Sequence, residues 1–271
     1  MDGDWLRVLS GADADGSRSI VGLIAAKKLG VALSRVISRF FTGRAHGVYA
    51  TCVEEIGREF YLSALGGKLW SLIKKEAEDT FEADDRGGRM FVNALAAASA
   101  DRSPPRITIV GHSAGSIYAG RLVVELARCG LHVDDLVLLA AAVRYDVFGR
   151  HMAAADDLLP SAVRRFHFIA LDDDCERGYW EVPGVYPRSL LYLVSGAAED
   201  TADHPLLGME RFWTREHLAP DPHVRAILAR SQRHWLARRA DRTVLRHGGL
   251  FDPTAAPETV RLLAAILGAT P

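Results

Sequence analysis

The sequence has few of the features that mark disulfide-stabilised, metal-binding or nucleotide-binding proteins. Its three cysteines, Cys52, Cys129 and Cys175, are widely separated and form no C-x-x-C pair. Neither a disulfide framework nor a zinc site is therefore expected, and a cytoplasmic location fits. The chain also contains no H-E-x-x-H motif and no Gly-rich phosphate loop, so we expect no metal and no cofactor.

Excess charge and long apolar runs are missing as well. The formal net charge is −1, which argues against a nucleic-acid partner because such proteins are usually basic. The first residues are polar and acidic and do not resemble a signal peptide. The apolar stretch Ile20–Ile37 is interrupted by Lys27, Lys28 and Arg35, which predicts an amphipathic helix and no membrane span.

The composition is that of a globular enzyme-sized domain. The chain has 271 residues, of which 49% are hydrophobic and 25% charged, enough for one sizeable core and a single domain over residues 1–271. Residues 1–100 show mostly helical periodicity, in three stretches. These stretches are 20–40, 49–82 with a break at Gly66–Gly67, and 89–99.

After residue 100 the pattern changes to short apolar runs that alternate with helices. The runs cover 107–110, 136–143 and 166–171, and a last short strand is expected at 243–245. Such runs predict the α/β class, with a mostly parallel sheet flanked by helices. Residues 190–198 fit a strand or a helix, 222–241 a helix with a solvated arginine face, and 255–267 a helix ended by Gly268. Residues 175–240 are a candidate lid or insert.

The segment Gly111-His-Ser-Ala-Gly115 is the strongest chemical signal in the chain. It is a G-x-S-x-G motif that follows the β-branched run I-T-I-V and precedes a helical pattern, which is the context of a nucleophile elbow. In that turn Ser113 would be the nucleophile, and the backbone N–H of Ala114 would face a developing oxyanion. We expect both glycines to be required for close packing around the turn.

A serine hydroxyl needs a base, and the base needs an acid that orients it. Asp173, between Asp172 and Asp174, follows the apolar run 166–171, and His247 follows the expected strand 243–245. The chain order serine, acid, histidine therefore predicts Ser113, Asp173 and His247 as a triad.

Other residues compete for these roles. His204 would be the base if 190–198 were the last strand, and Asp172 or Asp174 could replace Asp173. The carboxylates of Glu176, Glu199 and Asp200 are weaker acid candidates. His112 flanks the nucleophile and is expected to pack or to line the pocket.

Together these residues resemble the second half of bacterial α/β-hydrolases. The resemblance covers about residues 100–268 and rests on I-T-I-V-G-H-S-A-G-S, on D-D-D after a strand and on the late R-H-G-G-L-F-D. It implies a serine hydrolase, of the esterase or lipase kind, that acts on a small-molecule ester or related acyl substrate. It also implies Asp173 as the preferred acid of its triplet, because the family's acid tends to follow its strand by one or two residues.

The first hundred residues depart from that family. The resemblance implies four strands before the elbow strand and an H-G loop that supplies the second oxyanion donor. Only His46-Gly47 offers such a pair, and no β-branched run precedes it. A truncated hydrolase, a partner-dependent half completed by a homo-oligomer, and a helical variant remain open. A non-catalytic binding or interaction module is the alternative function.

Overall fold

The part of the chain that the structure describes forms a four-stranded, all-parallel sheet flanked by helices, an α/β architecture. The computed structural model describes residues 17–44, 46–59, 67–100, 105–178, 181, 183–213, 221–236 and 247–268, with the backbone alone for 17–26. The strands are β1 (Thr108–His112), β2 (Val133–Leu139), β3 (Val163–Leu171) and β4 (Gln232–Leu236). They lie in the order β1-β2-β3-β4, and each neighbouring pair is parallel.

The described residues before β1 form helices. These are α1 (Ser17–Phe41), α2 (Val48–Gly57), α3 (Gly67–Asp79) and α4 (Gly87–Ser99). The helices α5 (Gly115–Arg128) and α6 (Tyr145–Leu158) follow β1 and β2, and α7 (Asp173–Gly178) follows β3. The remaining α-helices of the described ranges are α8 (Leu190–Leu193), extended by the π-helical turn Val194–Ala198, then α9 (Pro222–Arg230) and α10 (Pro257–Leu267). Short 3₁₀ turns cover Glu210–Phe212 and His247–Gly249.

Both faces of the sheet are covered. Phe148 of α6 packs edge-on against Phe166 and Phe168 of β3, with ring centroids 6.4 and 6.0 Å apart. Because neighbouring side chains of a strand alternate between faces, His167 points to the other side. There it lines a cleft together with Leu262 and Ala265 of α10. Burial on both faces explains why six of the seven β2 residues are buried.

Most predicted elements occur close to their expected positions, but the end of the chain differs. The predicted helix over 222–241 ends at Arg230, and 232–236 form β4, which pairs with β3 from Gln232↔His167 to Leu236↔Leu171. The helix begins where Asp221 accepts a hydrogen bond from the Val224 N–H at 3.0 Å. Backbone pairing with a distant strand outweighs the weak helical pattern of Q-R-H-W-L. The expected strand 243–245 lies outside the described residues.

Two smaller differences concern β2 and the segment 190–198. The strand starts at Val133 and ends at Leu139, before the predicted end at 143, because Ala140 adopts a positive φ of 40° that turns the chain. The segment 190–198 is helical, and Gly268 ends α10 in the left-handed region with φ 71°, as predicted. Every helix in the described ranges is too short or too polar to cross a bilayer.

Candidate active site

Ser113 lies on a sharp turn between β1 and α5. Its φ of 53° lies in the left-handed region, which a residue with a Cβ rarely adopts. The turn is fixed from β2, because the Ser113 N–H donates to the Leu139 carbonyl at 2.9 Å. The Ser113 carbonyl in turn accepts from the Ala142 N–H at 3.1 Å and from Ser116 Oγ at 2.6 Å. The surrounding structure thus imposes a backbone conformation that a serine does not favour alone.

The two glycines of the motif are not equivalent. A Cβ at Gly111 would lie 3.0 Å from the Gly115 carbonyl oxygen, 3.1 Å from Ala119 Cβ and 3.2 Å from a Leu138 methyl group. A Cβ at Gly115 would meet no atom within 4 Å. The expectation that both glycines are sterically required is therefore corrected: close packing of α5 on the sheet requires Gly111 alone.

Polar groups at the turn remain available to a ligand. Ser113 and Ala114 are partly exposed, and within the described part of the chain neither Ser113 Oγ nor the Ala114 N–H has a hydrogen-bond partner. Ala114 also precedes the first turn of α5, a helix of 14 residues, whose amino end carries partial positive charge. These groups could bind an oxyanion next to the hydroxyl.

His247 lies beside the elbow. Its ring centroid is 5.0 Å from that of His112, and its carbonyl oxygen is 3.2 Å from His112 Nε2. The His247 side chain is buried, and neither ring nitrogen has a hydrogen-bond partner among the described residues. Burial, together with a smaller effect of the nearby His112, lowers the pKa of His247 to about 4. His247 is thus a neutral imidazole at pH 7 that packs against His112, the residue before Ser113, and makes no hydrogen bond to Ser113 Oγ.

His112 itself packs in the wall of this region. Its ring contacts Phe251 edge-on at 5.1 Å, and burial lowers its pKa as well. Two adjacent neutral imidazoles and a phenyl ring make the surroundings of Ser113 weakly polar, which strengthens any hydrogen bond made there.

The structure does not bring the predicted acid to His247. The Asp173 carboxylate accepts a hydrogen bond from the Tyr192 hydroxyl and lies 3.7 Å from Arg177. Asp172 accepts from the Cys175 N–H at 2.8 Å and so begins α7, and Asp174 is exposed. All three lie at the carboxyl end of β3, as the sequence predicts, but the Asp–His pair of the expected triad is not formed in the described residues.

The competing residues have other partners. His204 Nε2 lies 3.7 Å from Asp146 Oδ1, with no contact to the elbow. Glu199 is buried and accepts hydrogen bonds from Trp70 Nε1 at 2.5 Å and Lys74 Nζ at 2.9 Å. Asp200 is exposed and offers its carbonyl to Arg58.

Glu176 is the most perturbed carboxylate at the end of β3. It is fully buried, and burial raises its pKa to about 8 against the opposing effect of its hydrogen bond with Ser189. Glu176 is therefore protonated and neutral at pH 7. No contact connects it to His247, whose ring nitrogens are unpartnered.

A buried ionic cluster joins the amino-terminal helices to the rest of the fold, and the sequence did not predict it. Arg39 of α1 binds Glu54 and Glu55 of α2 and also Asp203. His46 bridges two of these carboxylates: its Nδ1 lies 2.8 Å from Glu54 and its Nε2 2.8 Å from Asp203. Burial would lower the pKa of His46, but the hydrogen bonds to Asp203 and Glu54 outweigh it and raise the pKa.

This cluster also contains a set of atoms that could ligate a metal. Ligand atoms of His46, Glu54 and Asp203 lie within 4.8 Å of one another. The carboxylates are, however, already engaged by the Arg39 guanidinium, and Glu54 also accepts from the Tyr186 hydroxyl. Cationic side chains therefore fill the place that a divalent ion would take. His46, the expected H-G residue, lies in this cluster and not in an oxyanion loop.

Comparisons with known proteins add no family to this description. No protein-family model, curated protein or solved structure matches the chain.

Proposed function

We propose that this protein is a serine hydrolase of the α/β-hydrolase type that acts on a carboxylic ester or a related acyl substrate. The observation that carries the proposal is the backbone of Ser113. A positive φ at a serine between a parallel strand and a helix, with a hydroxyl to which the described residues offer no partner, is costly for folding and useful for exposing a nucleophile.

The positions of the candidate residues along the chain support the same fold type. The nucleophile follows β1, three aspartates follow β3, and a histidine follows β4. In an all-parallel sheet the carboxyl ends of the strands share one edge, where ligands of α/β proteins bind. His247 reaches that edge next to His112, although eleven positions separate it from the end of β4.

In the proposed reaction Ser113 Oγ attacks the acyl carbon while its proton passes to His247. The bond between carbon and carbonyl oxygen becomes single, and the resulting oxyanion accepts a hydrogen bond from the Ala114 N–H. His247 then returns the proton to the departing alkoxide, which leaves an acyl-serine and an alcohol. Water attacks the acyl-serine with His247 again as the base, which regenerates Ser113 and releases the acid.

The unpartnered imidazole predicts that this reaction is slow. An orienting aspartate in a serine-histidine pair contributes roughly 10⁴-fold to turnover in well-known serine proteases, and the described residues provide His247 with no carboxylate. We therefore expect acylation by a reactive probe to be easier to detect than turnover of an unactivated ester.

The test is labelling with a fluorophosphonate followed by peptide mass spectrometry. We expect modification at Ser113, loss of labelling in Ser113→Ala, and a strong decrease in His247→Gln. Ser161→Ala is the matched control, because Ser161 also has a positive φ, of 57°, away from the elbow. Absence of label at Ser113 in folded protein would refute the proposal.

A non-catalytic binding module is the second candidate, and the unpaired His247 is the observation that favours it. In that case the Ser113 turn would bind an acyl or anionic group without forming a covalent bond. Stoichiometric labelling that depends on both Ser113 and His247 would exclude this candidate.

A further inference from the structure

We infer that a second copy of this chain pairs with the free edge of β1 and extends the sheet next to Ser113. Within the described residues, β1 is hydrogen-bonded to a strand on one side only. The part of the inference that concerns the oxyanion rests on the proposed function. The pairing itself does not.

The backbone of β1 shows which groups are free. Ile107 accepts from Asp134 and Asp135, and Ser113 donates to Leu139, so the odd-numbered residues direct their N–H and C=O groups to β2. The N–H and C=O of one residue point to the same side of a strand, and the side alternates along the chain. The even-numbered residues Thr108, Val110 and His112 therefore direct theirs to the open edge, where the described residues give them no partner.

Within Thr108–His112 this edge carries no charged side chain and no proline, two of the features that prevent strand addition. Natural edge strands carry lysines, prolines or bulges, whereas β1 reads T-I-V-G-H. The side chain of Val110, at the centre of the strand, is 40% exposed. Apolar surface continues at the carboxyl end of the strand, where Phe251, itself 41% exposed, packs against the His112 ring.

A second copy fits the edge because β1 is complementary to itself. In an antiparallel pair about a two-fold axis at Val110, Thr108 of each copy lies opposite His112 of the other. All three opposing pairs then consist of residues whose backbone N–H and C=O groups point to the open edge, so every free N–H meets a free C=O. The strand contains no Lys, Arg, Asp or Glu and the chain has a net charge of −1, so the two copies repel little.

The same register places the second copy beside the candidate active site. Arg106 precedes Thr108 by two residues, so in the second copy the chain at Arg106 continues past His112 toward the turn at Ser113. The Arg106 side chain is 51% exposed, and within its own copy its guanidinium pairs with Asp135 at 3.0 Å and donates to the Ile266 carbonyl at 2.6 Å. A guanidinium has five N–H donors, so Arg106 can keep Asp135 as a partner and direct another N–H to the oxyanion that the Ala114 N–H binds, which would complete a hole for which the described residues provide one donor.

The first experiment is sedimentation velocity on the full chain between about 1 and about 100 µM, with Val110→Lys as the test variant. In Val110→Lys the new lysine of one copy lies directly opposite that of the other copy across the two-fold axis, and directly opposed like charges destabilise strand pairs. We expect a dimer of the 29.6 kDa chain and at least tenfold weaker association in the variant. Leu158→Lys, at a residue 47% exposed on α6, is the matched control and should associate normally. A wild type that stays monomeric, or a variant that associates equally well, would overturn the inference.

Hydrogen exchange of the Val110 and His112 amides is the second measurement and needs no variant. We expect their protection to increase with protein concentration, whereas the odd-numbered amides of β1 stay protected throughout. Protection of these amides that is independent of concentration would show that a segment of the same chain pairs with the edge. A lack of protection would show that nothing pairs with it. Either result overturns the inference.

Labelling at Ser113 separates this inference from the proposed function. A dimer that does not label refutes the hydrolase and leaves the edge pairing in place. Equal labelling rates for wild type, Val110→Lys and Arg106→Ala keep the hydrolase but overturn the contribution of the second copy to the site.

Discussion

Replacement of the two motif glycines by alanine tests how α5 is packed on the sheet. At Gly111 the new methyl group would lie 3.0 to 3.2 Å from backbone and side-chain atoms of α5 and β2, all closer than ordinary van der Waals contact. One of the contacts is a backbone carbonyl of Gly115, which cannot move without moving α5 and the Ser113 turn. At Gly115, the first residue of α5, the methyl group would enter open space.

The expected effects have opposite signs. Overpacking by one methyl group costs about 1–3 kcal/mol, so Gly111→Ala should lower the free energy of unfolding by that amount. In a chain of this size each kcal/mol lowers Tm by about 2–4 °C. Gly115→Ala should be neutral or stabilise by up to about 1 kcal/mol, because alanine restricts the unfolded chain more than glycine does.

Urea and thermal unfolding monitored by circular dichroism provide the measurement, with fluorophosphonate labelling as a second readout. We expect Gly115→Ala to fold and label like the wild type, since its φ is not positive. If Gly115→Ala were as unstable as Gly111→Ala, or if Gly111→Ala had no effect on stability, the packing argument would be refuted.

Three further predictions concern buried ionisable groups. Because burial lowers the pKa of His247 to about 4, the labelling rate of Ser113 should fall only below about pH 5; a midpoint near 6.5 would contradict the structure. Glu176→Gln should raise Tm more at pH 8 than at pH 5, since burial raises this pKa from 4.5 to about 8. As the pH rises from 5 to 8, the carboxyl group ionises in the unfolded chain but stays protonated in the folded one, so the wild type loses stability; at pH 7 the loss relative to the fully protonated state is about 3 kcal/mol. A rise in Tm on Glu176→Gln that did not depend on pH would exclude this cause. Arg39→Met should cost about 3–5 kcal/mol in urea unfolding, as it leaves three buried carboxylates without their guanidinium; a loss below about 1 kcal/mol would show that the cluster adds little.

Local features of the site could be predicted because they depend on neighbouring residues. The run I-T-I-V before G-H-S-A-G predicts a strand that turns into a helix, and the positive φ of Ser113 agrees with that turn. Three apolar runs predicted strands, and Gly268 predicted the end of α10. In each case the side chains that favour the conformation lie within a few positions of it.

The partners of the site residues could not be predicted in the same way. Asp173 follows the correct strand, yet it binds Tyr192 and not His247. A spacing along the chain gives the edge of the sheet to which a residue belongs, but not the direction in which its side chain points.

The sequence by itself determined the α/β class, the strand-to-helix turn at Ser113 and the alternation of strands and helices, because short-range periodicity and turn chemistry decide them. Only the tertiary structure decided that β4 forms over 232–236, that Arg39 meets Asp203 across 164 positions, and that Gly111 is packed tightly while Gly115 is not. Those features depend on atoms that folding brings together from distant parts of the chain, and no local pattern of residues records such contacts.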